Sequence, residues 1–439
     1  MKKLQRNFIL LVLFVLFIAG INADYTPQFI IDITSQNNES EDVESRRIIS
    51  QEINPFLEKN YFPSQHVLNW DNKMEKVRML YTFDNQLQSE VEKLFKSYAP
   101  DYSSAVVLDA ATGQILAMTS FEGSKPSEIN RAIKATFPAA SIFKIVTAAA
   151  AIDKYSLSPE MELGLTGANY TLYKKNLFNE NNKNARWMSF REAFAKSINI
   201  FFGKMALKFM QPKDLVEYAE KFYFNRKIKT DFNIEQSKVQ LTTADEYYIA
   251  EIASGFNTET MLSPVHAAML AAAIANDGLM PIPYLVEGVF KEDGSSLYKS
   301  KIVPGLKVIS SETAHKLRSM MNDTVESGTS RKSFKELTKK KTFAVLEMGG
   351  KTGSITGQNP KGKTEWFVGY GKLGTRMIAV ATVVVNKEFW TVKPSFVAQK
   401  LIKTYFEKQA TIITSAFKDE KKKNNNSKST NLSSQILEN

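Results

Sequence analysis

The sequence predicts a mixed α+β (α/β) fold, in which an antiparallel sheet is flanked by helices and accompanied by a mostly helical subdomain. Two observations carry this prediction. Strand-like runs lie near both ends of the globular region, in residues 105–118 and 366–385, and the stretch between them is mostly helical. We therefore expect one sheet closed by the two ends of the chain, with the helices inserted between its strands.

The first elements of this fold follow from hydrophobic spacing. Four apolar residues spaced three and four apart predict a helix with one buried face: Leu87, Val91, Leu94 and Phe95. Residues 105–108 are all apolar and are followed by Asp109. Together, residues 105–109 predict a buried strand. Residues 111–113 predict a turn and residues 114–118 a second strand, so the two strands form a hairpin.

The middle and the end of the region complete the pattern. Residues 194–210 and 265–275 are the clearest helices of the insertion. Residues 366–370 and 377–385 are β-branched and aromatic runs on either side of a glycine-bounded turn at residues 371–374. These last two runs supply the returning strands of the sheet.

Residues 1–23 have the pattern of an export signal. Basic residues precede an uncharged, mostly apolar run over residues 8–21, and Ala23 ends the segment before polar sequence begins. The run is shorter than the about 20 residues that a membrane-spanning helix needs, and it fits the apolar core of a signal peptide. The sequence leaves two outcomes open, which are cleavage after Ala23 and retention as a membrane anchor.

Two further segments lie outside the globular region. Residues 24–77 are polar and irregular, which predicts a spacer with limited structure. Residues 407–439 lose hydrophobic periodicity and are rich in Lys, Asn and Ser, which predicts a disordered tail.

Composition narrows the class of function. The 439 residues are 43% hydrophobic and 23% charged, which excludes a wholly disordered or fibrous protein. The formal charge of +11 suits a membrane or wall polymer as surroundings but is spread too evenly to indicate nucleic acid. The chain has no cysteine and only three histidines, which follow no metal-ligand spacing. We therefore expect neither a metal nor a cofactor.

The first motif with chemical content is Ser141-Ile142-Phe143-Lys144. Pro138 ends any preceding helix, and the apolar residues 145–152 predict a buried helix directly after the motif. Lys144 then lies one turn from Ser141 on the same face, so its amine can reach the hydroxyl. Burial would lower the pKa of the amine and let it accept the serine proton. The alternative is an N-capping Ser141 with an exposed Lys144.

The second motif is Ser197-Ile198-Asn199, which interrupts the apolar helical run of residues 194–210. Buried hydroxyl and amide groups need hydrogen-bond partners, and a polar site opposite Ser141 would supply them. The alternative is a helix boundary at which Ser197 or Asn199 acts as a cap.

The third motif is Lys351-Thr352-Gly353-Ser354, which leads into a strand pattern. The glycines beside the Lys-Thr pair would allow a ligand to approach the backbone closely. Lys351 and Thr352 could hold a carboxylate, with the backbone N–H of Ser354 directed into the site. Each motif on its own is weak.

The three motifs together, in the order Ser-x-x-Lys, Ser-x-Asn and Lys-Thr-Gly, resemble those of the penicillin-binding protein transpeptidase family, the acyl-serine D,D-peptidases related to serine β-lactamases. Residues 104–118 are similar to the opening hairpin of that family, and residues 262–278 to its late helix. The resemblance covers residues 78–406 and implies a transpeptidase domain with a penicillin-binding protein/β-lactamase-like fold.

The resemblance also implies roles for the motif residues. Ser141 would be the nucleophile that attacks a D-Ala-D-Ala stem peptide, and Lys144 would be the base for acylation. Ser197 would relay a proton to the leaving amine, and Asn199 would bind the substrate amide and steady Lys144.

The third motif would bind the rest of the substrate. The resemblance makes Lys351 and Thr352 the ligands of the terminal carboxylate, with Gly353 giving the substrate close access to the strand. The N–H groups of Ser141 and Ser354 would form the oxyanion hole.

Two departures from the family pattern lie beside these residues. Ala139 and Ala140 stand where the family usually has Pro-Gly before its nucleophile. Residues 255–257, Gly-Phe-Asn, stand where it commonly has Gly-Gln-Gly. The first departure bears on the turn before Ser141, and the second bears on substrate detail because that loop borders the site in the family. The catalytic side chains are all present.

The function that the resemblance implies is a D,D-transpeptidase that cross-links peptidoglycan on the outer side of a bacterial cytoplasmic membrane. Its partners would be stem peptides, β-lactams as inhibitors, cell-wall synthesis proteins, and the membrane if the N-terminus is uncleaved, with no nucleic acid. The alternatives are a D,D-carboxypeptidase or endopeptidase, a class D-like β-lactamase, and a non-catalytic β-lactam sensor or scaffold.

Overall fold

A computed structural model describes residues 28–178, 185–358 and 360–407 of the chain. The predicted signal or anchor of residues 1–23 lies outside these residues, as does the predicted tail apart from Glu407. The chain divides into two units, residues 1–48 and residues 49–439. Over the described ranges, no helix combines the length and the hydropathy that crossing a bilayer requires.

The helices, in chain order, are α1 (Gln28–Leu57), α2 (Asn85–Tyr98), α3 (Lys144–Asp153), α4 (Lys174–Leu177), α5 (Phe190–Ala195), α6 (Asn199–Phe209), α7 (Pro212–Lys221), α8 (Glu246–Ser254), α9 (Pro264–Ala275), α10 (Ser311–Glu326), α11 (Arg331–Lys339) and α12 (residues 394–407). Two short 3-10 turns, Ala140–Phe143 and Lys341–Phe343, precede α3 and follow α11.

The strands, in chain order, are β1 (Gln65–Trp70), β2 (Lys73–Tyr81), β3 (Tyr102–Asp109), β4 (Ile115–Glu122), β5 (Lys125–Pro126), β6 (Phe137–Pro138), β7 (Glu162–Leu165), β8 (Arg186–Ser189), β9 (Met261–Leu262), β10 (Leu279–Met280), β11 (Val286–Lys291), β12 (Ser296–Lys299), β13 (Leu306–Lys307), β14 (Glu347–Gln358), β15 (Lys361–Leu373) and β16 (Arg376–Asn386).

The main sheet joins the two ends of the globular region, as the sequence predicts. Its six strands run in the order β14-β15-β16-β3-β4-β5, and every neighbouring pair is antiparallel. The first hairpin, β3 and β4, pairs with the last strand, β16, through partners such as Val107 and Val380. Strand β14 lies at the edge of this sheet and contacts the 3-10 turn of residues 140–143.

Both faces of the main sheet are covered, which explains why β3 is a continuous apolar run. Val106 and Leu108 belong to the core on the side of the helical subdomain. Ala105 and Val107 belong to a second core, which contains the buried residues of α2, α11 and α12. Strands that are buried on both sides lose the alternation of polar and apolar residues.

The structure differs from the expected spacer at residues 24–77. The end of α1 buries Ile49, Ile53 and Leu57, which lie four residues apart on one helix face. Strands β1 and β2 then join β11 and β12 in a four-stranded sheet. Because β2 ends at Tyr81, the domain boundary predicted between residues 77 and 78 falls inside a strand.

A hairpin signal explains how β1 and β2 form. Trp70 pairs with Lys73, and the two residues between them, Asp71 and Asn72, have φ angles of 52° and 63°. Two central residues with positive φ match the right-handed twist of a two-residue hairpin, and Asp and Asn tolerate that conformation. The abundance of polar residues in this stretch obscured the signal.

Candidate active site

Ser141 lies in the 3-10 turn that leads directly into α3, and Lys144 is the first residue of that helix. The amine Nζ of Lys144 is 2.7 Å from Oγ of Ser141. Lys144 is fully buried, so the alternative of an exposed lysine is wrong. The turn and the start of α3 bring the two groups together as the spacing predicts.

The surroundings of Lys144 favour the neutral amine. Burial, followed by the charge of Lys351, lowers the pKa of Lys144 well below its usual value. Nζ donates to Oδ1 of Asn199 at 2.7 Å and to the backbone carbonyl of Ser254 at 2.5 Å. A neutral amine has two N–H bonds and one lone pair, so these two acceptors leave the lone pair for the Ser141 proton.

The carbonyl of Ser254 is available because α8 ends there. The last carbonyls of a helix have no partner within the helix and carry partial negative charge. Gly255 then takes a φ of +64° and ends the helix. A helix terminus therefore supplies one of the acceptors that orient Lys144.

The second motif lies at a break between two helices, and not within one helix over residues 194–210 as predicted. Helix α5 ends at Ala195, Ser197 has a φ of +58°, and α6 begins at Asn199. Neither Ser197 nor Asn199 caps α6, because Ile198 occupies the N-cap position without a side-chain bond. Their side chains are free to face the site instead.

Ser197 and Asn199 contact the two lysines of the other motifs. Oγ of Ser197 accepts a hydrogen bond from Nζ of Lys351 at 2.7 Å. Asn199 accepts from Lys144 through Oδ1 and donates through Nδ2 to the carbonyl of Tyr170 at 2.9 Å. The amide of Asn199 is thereby fixed in the orientation that presents its oxygen to Lys144.

Lys351 lies on the edge strand β14 and is fully buried. Burial lowers the pKa of Lys351 to about 7. The same strand brings Gly353 so close to the Ser141 turn that an added Cβ would lie 3.3 Å from the backbone nitrogen of Ser141. Glycine at this position therefore allows the strand and the Ser141 turn to form the two walls of one cleft.

The pKa of Lys351 predicts how stability changes with pH. An unfolded lysine titrates near 10.4, so between about pH 7 and 10.4 the unfolded state binds more protons at this residue. The free energy of unfolding should rise with pH over this window, by up to roughly 1 kcal/mol per pH unit for this group. Urea unfolding of the wild type and of Lys351→Met at several pH values measures the slope of the unfolding free energy against pH. The prediction requires a smaller slope in the variant, and equal slopes would contradict it.

Gly255 supports the Ser141 turn through a backbone contact that excludes any side chain. A Cβ at Gly255 would lie 1.9 Å from the carbonyl oxygen of Ala140, the residue before Ser141. We expect Gly255→Ala to destabilise the protein by more than the about 1–2 kcal/mol that a left-handed conformation alone costs a non-glycine residue, and to slow acylation of Ser141. Urea unfolding and rates of penicillin labelling measure both effects.

Gly374→Ala is the matched control for this prediction. Gly374 has a φ of +61°, close to that of Gly255, but nothing lies within 4 Å of an added Cβ there. Gly374→Ala should therefore lower the free energy of unfolding by the cost of the left-handed conformation alone, without a steric collision. It should leave the rate of penicillin labelling unchanged. Equal losses in the two variants would show that the contact with Ala140 has no consequence.

The three motifs open on one cleft of about 500 Å³. It is lined by Ser141, Ser197, Asn199, Thr352, Gly353 and Ser354. The fully buried Lys144 and Lys351 contact this lining through Ser141 and Ser197. A larger cleft of about 710 Å³ near β1, β2 and β11 contains none of these residues. The motif chemistry therefore belongs to the smaller cleft.

Several residues of the cleft carry no sequence signal of their own. Thr329 follows α10, and its hydroxyl is 2.5 Å from that of Thr352. Phe256 also lines the cleft, in the loop of residues 255–257 that the resemblance places beside the site. Other lining residues that the sequence analysis missed are Tyr170, Lys363, Glu365, Trp366, Lys393, Pro394 and Ser395. Their place depends on tertiary packing, because each comes from a loop or a strand that no motif marks.

Comparison with known proteins agrees with this architecture. The sequence model of the family described as "Penicillin binding protein transpeptidase domain" matches residues 103–407. Stage V sporulation protein D of Bacillus subtilis is 23% identical over 298 residues, which are 63% of this chain and 44% of that protein. Peptidoglycan D,D-transpeptidase PbpA of Mycolicibacterium smegmatis is 27% identical over 320 residues, which are 65% of this chain and 62% of that protein.

A solved structure shares the fold. Penicillin-binding protein A from M. tuberculosis, as an imipenem acyl-enzyme complex, superposes with a TM-score of 0.62 at 21% identity. The superposition covers 75% of this chain and 80% of that one. The predicted fold class and the family resemblance are confirmed. The chain spans less than two thirds of the length of the two curated relatives, at 44% and 62%.

Proposed function

The chain belongs to the family of penicillin-binding protein transpeptidase domains, and from this premise we propose that it is a serine D,D-transpeptidase that cross-links peptidoglycan stem peptides. The observation that carries the proposal is the contact between Ser141 and Lys144. A hydroxyl lies 2.7 Å from a fully buried amine whose other two neighbours are hydrogen-bond acceptors. This is the arrangement of a nucleophile beside a general base.

In the first half-reaction, Oγ of Ser141 attacks the carbonyl carbon between the two D-alanines of a donor peptide. The proton of the hydroxyl passes to Nζ of Lys144 as the new oxygen–carbon bond forms. The carbon–nitrogen bond to the terminal D-alanine then breaks. The proton held by Lys144 passes through Ser197 to the nitrogen of this D-alanine. Free D-alanine departs, an ester remains on Ser141, and Lys144 is neutral again.

In the second half-reaction, a primary amine of a neighbouring stem peptide attacks this ester. Lys144 accepts a proton from the attacking nitrogen, the new amide forms, and Ser141 regains its proton as it leaves. Attack by water in place of the amine gives trimming of the peptide without a cross-link.

The remaining motif residues bind the donor peptide and stabilise the negative charge that develops on its carbonyl oxygen. Lys351 and Thr352 hold the terminal carboxylate of the donor, and Gly353 lets the peptide lie against β14. The N–H groups of Ser141 and Ser354 stabilise the oxyanion, a contribution of about 100- to 1,000-fold for one donor in comparable enzymes. The carbonyl of a β-lactam would enter the same position and acylate Ser141.

The test is a reaction of the full chain with a synthetic pentapeptide that ends in D-Ala-D-Ala, together with a primary amine acceptor. Release of D-alanine with formation of the new amide supports the proposal, and Ser141→Ala should abolish both. D-alanine release without amide formation would instead identify a carboxypeptidase. Rapid steady-state hydrolysis of a chromogenic cephalosporin would identify a β-lactamase. A wild-type protein that reacts with none of these substrates would be a non-catalytic protein.

The proposed substrate sets the location. Peptidoglycan lies outside the cytoplasmic membrane, so the enzyme would act there. The predicted export signal of residues 1–23 would carry it across the membrane. A retained signal would anchor it to that membrane. Cell-wall synthesis proteins would then be its neighbours, and fractionation of cells that express the full chain would test both points.

A further inference from the structure

The cleft that contains Ser141 carries a charged group at its mouth that none of the three motifs includes. Glu365 on β15 lines this cleft together with Lys363 of the same strand and Lys393, the residue before α12. Oε1 of Glu365 accepts a hydrogen bond from Nζ of Lys393 at 2.6 Å, and Nζ of Lys363 is 3.7 Å from the same oxygen. These three side chains form what we call the mouth cluster.

The mouth cluster lies directly beside the third motif. In the antiparallel register of β14 and β15, Glu365 is the partner of Ser354. Residues opposite each other in such a pair project from the same face of the sheet, with neighbouring Cβ atoms about 4.5–5.5 Å apart. The cluster therefore adjoins the strand that the proposed function assigns to the substrate carboxylate.

The burial of the cluster is unequal. The side chain of Glu365 is only 8% exposed, whereas those of Lys363 and Lys393 are 55% and 48% exposed. The second oxygen of Glu365, Oε2, is buried and has no hydrogen-bond partner among the described residues. A buried carboxylate with one unsatisfied oxygen is costly, so attraction to the two lysines holds it in place.

The excess of positive charge in the mouth cluster favours the binding of an anion. Glu365 is the one acidic residue among the described residues that line the cleft, against Lys363 and Lys393 at its mouth. Lys393 is the better placed of the two, because a short contact to Glu365 fixes its amine while half of its side chain faces solvent. A substrate carboxylate that enters the cleft can replace Glu365 as the partner of Lys393 with little movement of the Lys393 amine.

Resting on the proposed function, we infer that Lys393 is a second receptor for a carboxylate of the donor peptide, and that Glu365 is a positioning residue that holds Lys393 until the substrate arrives. The carboxylate comes either from the terminal D-alanine or from an internal side chain of the stem peptide. Both sources present the same chemistry to the amine, and the experiment below separates them.

This inference predicts opposite effects for the two partners of one ion pair. Lys393→Met removes the receptor, and we expect it to lower the second-order rate of acylation about 2- to 5-fold. Glu365→Gln keeps an oxygen that accepts from Lys393 but removes the competing charge, and we expect a rise of similar size. A pair that only fastens α12 to β15 would give two changes in the same direction.

The sources are separated by four substrates. One pair is benzylpenicillin and its methyl ester, which lacks the ring carboxylate, and acylation is followed by intact mass. The other pair is a D-Ala-D-Ala pentapeptide with its internal carboxylates free or amidated, and D-alanine release is followed. A Lys393→Met effect on benzylpenicillin and on both pentapeptides, but not on the methyl ester, assigns the terminal carboxylate, which both pentapeptides retain. An effect confined to the free pentapeptide assigns an internal one. Both outcomes support the inference.

Control variants and conditions separate a loss of carboxylate recognition from other effects of the substitutions. Lys335→Met removes an exposed lysine outside the cleft and should leave all four rates unchanged. Thermal unfolding of each variant separates loss of fold from loss of recognition. The Lys393→Met effect should also shrink at about 1 M salt, where the Debye length is about 3 Å.

Three results would overturn the inference: Lys393→Met behaving as Lys335→Met, a Lys393→Met effect that is equal within both pairs of substrates, or a fall in rate for Glu365→Gln. In all of them the wild type still reacts. A wild type that fails to react with benzylpenicillin would refute the proposed function instead.

Discussion

Replacing Lys144 by methionine is expected to slow acylation of Ser141 about 100- to 10,000-fold at neutral pH, the range that a general base contributes. Methionine has a similar length and suits a buried position, so the fold should persist. The variant loses the amine that lies 2.7 Å from the serine hydroxyl and is placed to accept its proton. The measurement is the second-order rate of labelling by a fluorescent penicillin under excess reagent.

Lys93→Met is the control for this prediction. Lys93 is exposed on α2, outside the cleft, so the same substitution there should leave the labelling rate unchanged. Labelling of folded Lys144→Met at the wild-type rate would show that another group activates Ser141.

Replacing Asn199 by aspartate should reduce acylation at pH 7 by about 10- to 1,000-fold and move the activity to higher pH. The change keeps the shape of the side chain but places a carboxylate beside the buried amine of Lys144, which lies 2.7 Å from Oδ1. An opposite charge at this distance raises a lysine pKa by about 1–3 units. A larger fraction of Lys144 would then be protonated, and the protonated amine cannot accept the serine proton.

The pH profile of labelling is the readout that distinguishes this effect from damage to the fold. Activity of Asn199→Asp should recover as the pH rises, because the amine loses its proton again. Asn199→Ala removes the same amide without adding charge, and its profile should not shift in that direction. A loss in Asn199→Asp that is equal at every pH would contradict the assigned effect of Asn199 on Lys144.

The main sheet and the first motif could be predicted because their signals are local. The spacing of Ser141 and Lys144 fixes one helical turn between them, and the strand runs at both ends of the region indicate a shared sheet. Burial of Lys144 follows from the packing of α3 against α6 and α8, which no local pattern encodes. The carbonyl of Ser254 likewise leaves no trace in sequence, because every residue has one.

The errors have equally physical causes. Residues 194–210 have the composition of one helix, and the break appears only because Ser197 adopts a left-handed conformation between two packed segments. In residues 24–77, three apolar residues four apart and a two-residue turn were outweighed by the many polar residues around them. Thr329 and Glu365 reach the cleft through strand register and loop packing, so only the structure brings them to the site.

The most direct test of the account is to react the full chain with benzylpenicillin and locate the adduct by mass spectrometry of its peptides. The account predicts one penicilloyl group per chain, on the peptide that contains Ser141, and no adduct in Ser141→Ala. An adduct on a different residue, or a folded wild type that stays unmodified, would contradict the claim that Lys144 makes this hydroxyl the nucleophile.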